Sequence, residues 1–300
     1  MGISINHISK SYKEVIALED ISFNVKPGEL FGLIGPDGAG KTTLFRILTT
    51  LLIADKGDAT VAGYDVIKDY KTIRNSVGYM PGKFSLYQDL TVEENLTFFA
   101  TIFGTTIQEN YHLIKDIYIQ IEPFKNRRAG KLSGGMKQKL ALCCALIHKP
   151  KVLFLDEPTT GVDPVSRKEF WDVLKRLQQT GITILVSTPY MDEAALCDRI
   201  ALIQNGKLLE VDTPKSITKH FSKNLYNISA HSMYKLMESL DGFEHTHSAY
   251  PFGEFVHYTD NRADLDVEEL RRYLSSKGLK EISIGKTQPT IEDTFMELTK

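Results

Sequence analysis

The sequence contains only three cysteines, Cys143, Cys144 and Cys197, and no CxxC pair or Cys/His spacing typical of a metal site. We expect buried, reduced thiols in a cytosolic protein. No apolar run approaches the roughly 20 residues that a membrane-spanning helix needs. The first residues lack the pattern of a signal or transit peptide. If the protein works at a membrane, we expect it to dock on a partner that spans it.

An excess of charge of either sign is also missing. The 300 residues include 36 Lys and Arg against 38 Asp and Glu, a net charge of −2. This balance argues against a protein that coats nucleic acid through bulk positive charge, and we expect no nucleic-acid partner. A composition of 42% hydrophobic and 25% charged residues is typical of a globular chain with one large or two unequal domains.

The hydrophobic pattern indicates alternating strands and helices up to about residue 215. Residues 30–34, 151–155 and 182–186 are short apolar runs typical of buried parallel strands. The periodicity predicts a helix over about 165–179 and several helices between residues 90 and 132. This order favours an α/β protein whose parallel sheet has helices on both faces.

A second, smaller domain is predicted after Thr213-Pro214. Its elements are a strand at 225–229, a helix at 232–240, two strands within 243–258, a helix at 267–277, a strand at 281–284 and a helix at 291–298. This mixture predicts a small α+β domain over residues 216–300.

A glycine-rich loop follows the strand at 30–34. It fits the pattern G-x-x-x-x-G-K-[ST] with Gly35, Pro36, Asp37, Gly38, Ala39, Gly40, Lys41 and Thr42. The glycines let backbone N–H groups point at phosphate oxygens, and the helix that follows adds its positive end. We expect Lys41 to reach the β- and γ-phosphates and Thr42 to ligate Mg²⁺. Apolar residues of that helix are expected on one face at Leu44, Ile47, Leu48 and Leu51.

Two carboxylates end the strand at 151–155. Asp156 is predicted to reach Mg²⁺, and Glu157 is expected to face the γ-phosphate as the candidate general base for the attacking water. A third element, Leu132-Ser133-Gly134-Gly135, begins a helix with Ser133 as its N-cap. Its glycines are expected to let a phosphate approach the start of the helix.

Together these three motifs resemble the nucleotide-binding domain of ABC transporters, over about residues 1–215. Leu132-Ser133-Gly134-Gly135-Met136 is similar to the LSGGQ signature, with Met136 in the last place. The resemblance implies a P-loop NTPase core with an antiparallel β subdomain and a helical insertion at about 85–150. It also implies bound ATP and Mg²⁺, with Thr43 beside the phosphates.

Further roles are implied by the same resemblance. Tyr12 is expected to stack on adenine, and Asp163 looks like the aspartate that contacts the other subunit. The residues Pro289 to Phe295 resemble the end of exporter-type ATPases with a short C-terminal domain. The family pairs two ATP-binding subunits, identical or different, so that each site combines one subunit's P-loop with the other's signature. Closure of this dimer acts on integral membrane subunits, at the inner face of the cell membrane.

Two residues of the family pattern are replaced. Gly82 stands where the family has a Gln that helps to hold Mg²⁺ and water, and Pro189 stands where it has a switch His. Proline offers no side-chain donor or acceptor. Three interpretations stay open. The chain is a working ATPase that tolerates both losses, or it hydrolyses ATP weakly and pairs with a subunit that has a more complete site, or it forms a homodimer that closes on ATP and hydrolyses it slowly. Lys83 and Gln88 are candidate substitutes for the missing Gln.

A short apolar segment, Phe84, Leu86 and Tyr87, is open to two interpretations. By resemblance it lies near the groove that receives a membrane subunit, but burial within the helical subdomain explains it equally well. Two rival functions also stay open. One is a soluble ABC ATPase without a membrane partner, and the other is a regulatory subunit with a degenerate site.

Overall fold

The computed structural model describes residues 2–299, which form two compact units. The first extends to Lys215, and the second comprises Ser216–Leu298. Within residues 2–299, no helix combines the length and the hydropathy needed to cross a bilayer.

The strands of the first unit are β1 (Ile3–Tyr12), β2 (Val15–Val25), β3 (Leu30–Ile34), β4 (Lys56–Val61), β5 (Tyr64–Asp65), β6 (Val77–Met80), β7 (Val152–Asp156), β8 (Thr183–Thr188), β9 (Arg199–Gln204) and β10 (Lys207–Asp212). The α-helices through residue 219 are α1 (Lys41–Leu48), α2 (Tyr70–Ser76), α3 (Val92–Ile102), α4 (Ile107–Tyr118), α5 (Gly134–Leu146), α6 (Pro164–Gln179), α7 (Met191–Ala194) and α8 (Pro214–Lys219).

The central sheet of this unit has the strand order β10-β9-β3-β8-β7-β6. All neighbours from β9 to β6 are parallel, and β10 is antiparallel to β9. Every residue of β3 and β7 is buried, as expected for parallel strands that are covered on both faces. A second, antiparallel sheet has the order β2-β1-β4-β5. The α/β architecture predicted from the sequence is confirmed.

Local sequence signals explain several element boundaries. Thr91 and Glu94 form the capping box that begins α3, because a Thr followed three residues later by Glu satisfies two free N–H groups at the start of a helix. The turn between β9 and β10 has positive φ angles of 49° at Asn205 and 76° at Gly206, which is typical of a type I′ hairpin.

The prediction that Leu51 continues the apolar face of α1 is wrong. The helix ends at Leu48, Thr50 adopts a left-handed φ of 64°, and the Leu51 N–H donates to the Arg46 carbonyl at 2.7 Å. This closing turn is a Schellman motif. It directs Leu51 outward, where it is 57% exposed.

The second unit contains β11 (Leu225–Ser229), α9 (Met233–Asp241), β12 (Thr246–Phe252), β13 (Phe255–Asp260), α10 (Val267–Ser276), β14 (Ser283–Thr287) and α11 (Ile291–Leu298). Its antiparallel sheet has the order β12-β13-β11-β14. Leu236, Leu240, Tyr258 and Leu270 lie in its core. The strand predicted at 281–284 begins later, at Ser283, because Glu281 has a left-handed φ of 56° that is incompatible with a strand.

Candidate functional site

The carboxyl ends of four parallel strands meet at one edge of the central sheet. Ile34 of β3 lies opposite Thr188 of β8, and Asp156 of β7 lies opposite Ser187. Strand β6 continues this edge, because Met80 lies opposite Leu155. The residues after each strand therefore lie side by side, in the position where open α/β sheets bind ligands.

The loop between β3 and α1 approaches neighbouring backbone too closely for larger residues. A Cβ on Gly35 would lie 2.1 Å from the Ile203 carbonyl oxygen, and one on Gly40 would lie 2.4 Å from that of Ala17. Gly38 and Gly40 have φ angles of 80° and 104°, which non-glycine residues rarely adopt. Successive backbone N–H groups in this kind of turn form an anion-binding nest.

The other residues of this loop lie around the start of α1. Pro36 and Asp37 are exposed, whereas Ala39 is buried and its N–H donates to the Pro36 carbonyl. Thr42 and Thr43 lie half-buried in the first turn of α1, where backbone N–H groups have no intrahelical acceptor. The helix start therefore presents free donors and the positive end of the helix dipole.

Lys41 is buried although it carries a charge, with 3% exposure. Its ammonium donates to the carbonyl oxygens of Gly35 at 2.8 Å and Pro36 at 3.0 Å. It also lies 3.1 Å from Oε1 of Glu157. These contacts hold the cation between the glycine-rich loop and the end of β7.

Asp156 and Glu157 are positioned by Ser187 of the neighbouring strand. The Ser187 hydroxyl donates to Oδ1 of Asp156 at 2.6 Å, and the Glu157 N–H donates to Oγ of Ser187 at 3.0 Å. Glu157 has a left-handed φ of 50°, an uncommon conformation that often marks functional sites. Burial and the neighbouring Asp156 carboxylate raise the pKa of Tyr79 to about 12.

Gly82 lies directly beside Asp156. A Cβ at residue 82 would lie 3.1 Å from the Asp156 carbonyl oxygen and 3.8 Å from its Oδ2. Gln88 has a different neighbour: its backbone carbonyl accepts the Gly130 N–H at 2.9 Å, and its Oε1 would lie 3.6 Å from a Cβ on Gly130. Pro189 follows the end of β8, next to the strand that carries Asp156 and Glu157. Gly82 therefore borders the Asp156 carboxylate, and Pro189 lies two residues after the residue that pairs with Asp156.

Two polar residues of this edge were missed by sequence reasoning. Ser187 is the penultimate residue of the apolar strand β8, in register with Asp156, so its position near the carboxyl edge was the available signal. Glu193 gives no such signal, since it lies in the short helix α7. It is 1% exposed and accepts hydrogen bonds from the hydroxyls of Thr159 at 2.7 Å and Thr188 at 2.6 Å. It thereby ties the loop after β7 to the last residue of β8.

Ser133, Gly134, Gly135 and Asp163 form a second group, built on α5 and the start of α6. Ser133 caps α5 by accepting the Met136 N–H, and Asp163 caps α6 by accepting the Ser166 N–H. The hydrogen bonds to Ser166 hold the pKa of the Asp163 carboxyl below its usual value. The group presents an exposed serine at the start of a helix.

Gly135 was expected to lie beside a phosphate, but its neighbour in the structure is Ser166. A Cβ there would lie 2.8 Å from Oγ of Ser166, so the buried glycine provides close packing of α5 against α6. Gly134, in contrast, is exposed. Tyr12 lies at the end of β1 with 43% of its surface exposed, and its ring is 6.0 Å from the Lys10 ammonium.

The family pattern described as ABC transporter matches residues 18–160. Nod factor export ATP-binding protein I of Rhizobium sp. (strain N33) is 34% identical over 304 residues, covering 100% of this chain and 97% of that protein. The chain belongs to the ABC transporter ATP-binding protein family.

Further members of the ABC family agree with this assignment. The probable multidrug ABC transporter ATP-binding protein YbhF of Escherichia coli (strain K12) is 38% identical over 302 residues. That match covers 99% of this chain but 52% of YbhF, so the chain spans about half the length of this relative. A solved structure, described as the ATP binding subunit of an ABC transporter, superposes with a TM-score of 0.67 at 28% identity, covering 74% of this chain and 93% of that one.

The resemblance to ABC transporter ATPases and the P-loop NTPase fold, both predicted from sequence motifs, are confirmed. The roles of the individual site residues stay predictions.

Proposed function

We propose that this chain is an ATP-binding and ATP-hydrolysing subunit that powers a separate membrane-spanning ABC transporter, an exporter, through ATP-driven closure of a dimer. The observation that carries the proposal is the grouping of Lys41, Asp156 and Glu157 at one edge of the parallel sheet. The relatives named for Nod factor export and multidrug transport support the choice of an exporter.

The glycine-rich loop fits the phosphate tail of ATP. Gly38 and Gly40 have the positive φ angles that turn backbone N–H groups inward, and α1 begins directly after them. Lys41 has its charge already oriented by the Gly35 and Pro36 carbonyls. Tyr12, at the exposed end of β1, supplies an aromatic face for adenine.

The residues present also fit Mg²⁺. Thr42 and Asp156 would hold the ion, since a hydroxyl and a carboxylate are the hard oxygen ligands that Mg²⁺ prefers. The ion supplies neutralisation of the charge on the β- and γ-phosphates. Ser187 orients Asp156 for this role through its 2.6 Å hydrogen bond.

Glu157 is the proposed general base, which takes a proton from the attacking water. Its left-handed backbone and the hydrogen bonds from its N–H to Ser187 fix the start of its side chain. Gly82 and Pro189 leave the water without two of the family's positioning groups. We therefore propose slow hydrolysis, in which each tenfold loss of rate corresponds to about 1.4 kcal/mol.

Ser133 and Gly134 complete the site of a second ATP-binding subunit, identical or different, in this proposal. Both are exposed at the N-terminus of α5, which offers backbone donors to a phosphate. Asp163, exposed at the start of α6, is placed to contact the same partner.

The membrane subunits are proposed to dock at a groove of about 210 Å³ beside α3 and α5. Leu86, Phe99, Phe103, Ala141 and His148 contribute to its walls. Leu86 is 8% exposed whereas Tyr87 is 51% exposed, so part of this apolar segment is buried in the helical region and part faces outward. This docking places the chain at the cytoplasmic face of the membrane.

Steady-state hydrolysis of MgATP by the purified chain, with and without its membrane subunits, tests the proposal. We expect Glu157→Gln to lower the rate at least tenfold while ATP affinity persists, because only the proton acceptor is lost. Glu254→Gln, at an exposed turn, is the matched control and is expected to keep the wild-type rate. Equal rates for wild type and Glu157→Gln would refute the role of Glu157.

Gly82 and Pro189 favour a second candidate function. In it, the chain is a subunit with a degenerate site, which binds ATP but depends for turnover on a partner subunit with a more complete site. Single-turnover hydrolysis with enzyme in excess of ATP separates the two. Slow product formation by the isolated chain supports the hydrolysing subunit. The absence of product over hours supports the degenerate-site subunit.

A further inference from the structure

A cleft of about 730 Å³ opens between α4, the C-terminal end of α5 and α6. It lies at the amino ends of β7 and β8, because Lys151 and Thr183 contribute to its lining. The nucleotide-binding edge is at the opposite, carboxyl ends of these strands. The cleft is therefore a separate site, and nothing in the proposed ATPase cycle uses it.

The walls of the cleft are apolar. Residues from three helices and from the segment just before β8 line it: Leu113, Ile117, Leu146, Val173, Leu177 and Ile182. Its volume lies within the roughly 300–1,000 Å³ of pockets that enclose drug-sized ligands. Apolar walls of this extent favour a ligand with a hydrocarbon or aromatic body.

Positive charge borders these walls. Lys149, Lys151 and Arg176 are exposed members of the lining, and Asp116 is its acidic member. Among residues 2–299, Lys149 and Arg176 form no ion pair, whereas the neighbouring Lys175 lies 3.6 Å from Asp198. The Lys151 ammonium lies 6.0 Å from the centroid of the Tyr64 ring, outside the cleft lining. The cleft thus combines an apolar interior with two cations, Lys149 and Arg176, that have no ion-pair partner, and this is complementary to an anion that carries an apolar chain.

We propose that this cleft binds one molecule of an anionic amphiphile, an acyl or aryl chain that ends in a carboxylate or a phosphate. The apolar chain lies between α4 and α6, and the head group meets Arg176 and Lys149. Because the walls face one another, the cleft accommodates a single chain rather than the flat surface of a bilayer. A small inorganic anion would leave the apolar walls uncovered, and a neutral chain would leave the cations unused.

Calorimetric titration of the nucleotide-free, full-length chain tests the site with decanoate and decyl phosphate, each below its critical micelle concentration. We expect 1:1 binding of both anions, and the tighter one identifies the preferred head group. Decanol and decyltrimethylammonium, which share the chain but lack negative charge, are expected to bind at least tenfold more weakly. Binding of decanol as tight as that of decanoate would overturn the proposal.

Substitutions separate the charge from the apolar walls. Arg176→Glu is expected to weaken anion binding at least tenfold, and Arg176→Gln to weaken it less. Leu113→Trp fills the cleft and is expected to abolish binding. Lys115→Glu is the matched control, since Lys115 is an exposed residue of α4 outside the lining, and it is expected to bind like wild type.

Circular dichroism verifies that each variant is folded. The two Arg176 variants test the role of charge, and Leu113→Trp tests the role of the apolar walls independently. Unchanged affinity in folded Arg176→Glu and Leu113→Trp would overturn the proposal, as would no binding of either anion to wild type. A dimer that Leu113→Trp dissociates, without anion binding, would assign the cleft to a second copy and also overturn it. Because no nucleotide is present, failure here leaves the ATPase proposal unaffected.

Discussion

The Lys41 ammonium lies 3.1 Å from Oε1 of Glu157, so the cation of the glycine-rich loop contacts the carboxylate that follows β7. Lys41 is held by the carbonyls of Gly35 and Pro36, and Glu157 is held by the hydrogen bonds of its N–H to Ser187. Both residues are therefore positioned by hydrogen bonds that involve the backbone, in addition to their contact with each other. Such preorganisation reduces the cost of ordering them around a nucleotide.

Lys41→Ala is expected to weaken ATP binding about 100-fold, or about 2.7 kcal/mol, because it removes the charge-assisted hydrogen bonds to the phosphates. Calorimetric titration with MgATP measures the change. Lys71→Ala, an exposed lysine on α2, is expected to bind ATP like wild type. ATP affinity unchanged in Lys41→Ala would contradict the proposed phosphate site.

The double variant Gly82→Gln, Pro189→His is expected to hydrolyse ATP at least tenfold faster than wild type. A side chain at residue 82 starts 3.1 Å from the Asp156 carbonyl oxygen, so a small backbone adjustment places an amide beside the carboxylates. The histidine supplies the donor that proline lacks. Steady-state phosphate release measures the rate.

The gain in the double variant should disappear when Glu157→Gln is added. Persistence of the gain in that triple variant would show that another group accepts the proton, and no gain in the double variant would show that these two positions do not limit the rate.

Gly135→Ala is expected to destabilise the chain by about 1–3 kcal/mol, the usual cost of overpacking, because its Cβ would lie 2.8 Å from Oγ of Ser166. Urea denaturation measures the loss. Ser166→Gly removes the obstructing atoms. The stability lost on adding Gly135→Ala to Ser166→Gly should therefore be smaller than the stability lost on adding Gly135→Ala to wild type. A loss that the second substitution leaves unchanged would contradict this packing argument.

Asp293→Asn is expected to destabilise the second unit by about 1–3 kcal/mol at pH 7, the usual cost of leaving buried polar groups unsatisfied. Asp293 is 1% exposed and accepts hydrogen bonds from Thr290, Tyr250 and His257. Burial alone raises the pKa of this carboxyl, but the hydrogen bonds outweigh it and lower the pKa below its usual value.

The sign of this pKa shift sets a pH dependence. A lowered folded-state pKa contributes stability that is present above the unfolded value of about 3.9 and is lost as pH falls through the folded value. The stability difference between wild type and Asp293→Asn should therefore shrink below about pH 4. Denaturation at pH 7 and pH 3 measures it, with the exposed Asp241→Asn as control. A constant difference across this range would contradict the role of the charge.

Short-range patterns were sufficient for most elements. The glycine-rich loop, the acidic end of β7 and the Thr91 capping box depend on residues within a few positions of one another, so the sequence predicts them directly. The errors lie where local backbone conformation overrides periodicity. Thr50 turns Leu51 away from the core, and Glu281 delays β14.

The sequence by itself determined the family, the α/β fold and the candidate phosphate and carboxylate residues, because each motif encodes its own local geometry. Only the tertiary structure decided that Ser187 bonds both the Asp156 carboxylate and the Glu157 backbone N–H, that Glu193 ties Thr159 to Thr188, and that Gly135 packs on Ser166. These contacts join residues far apart in the chain. They depend on strand register and helix packing, which are settled only when the whole core is assembled.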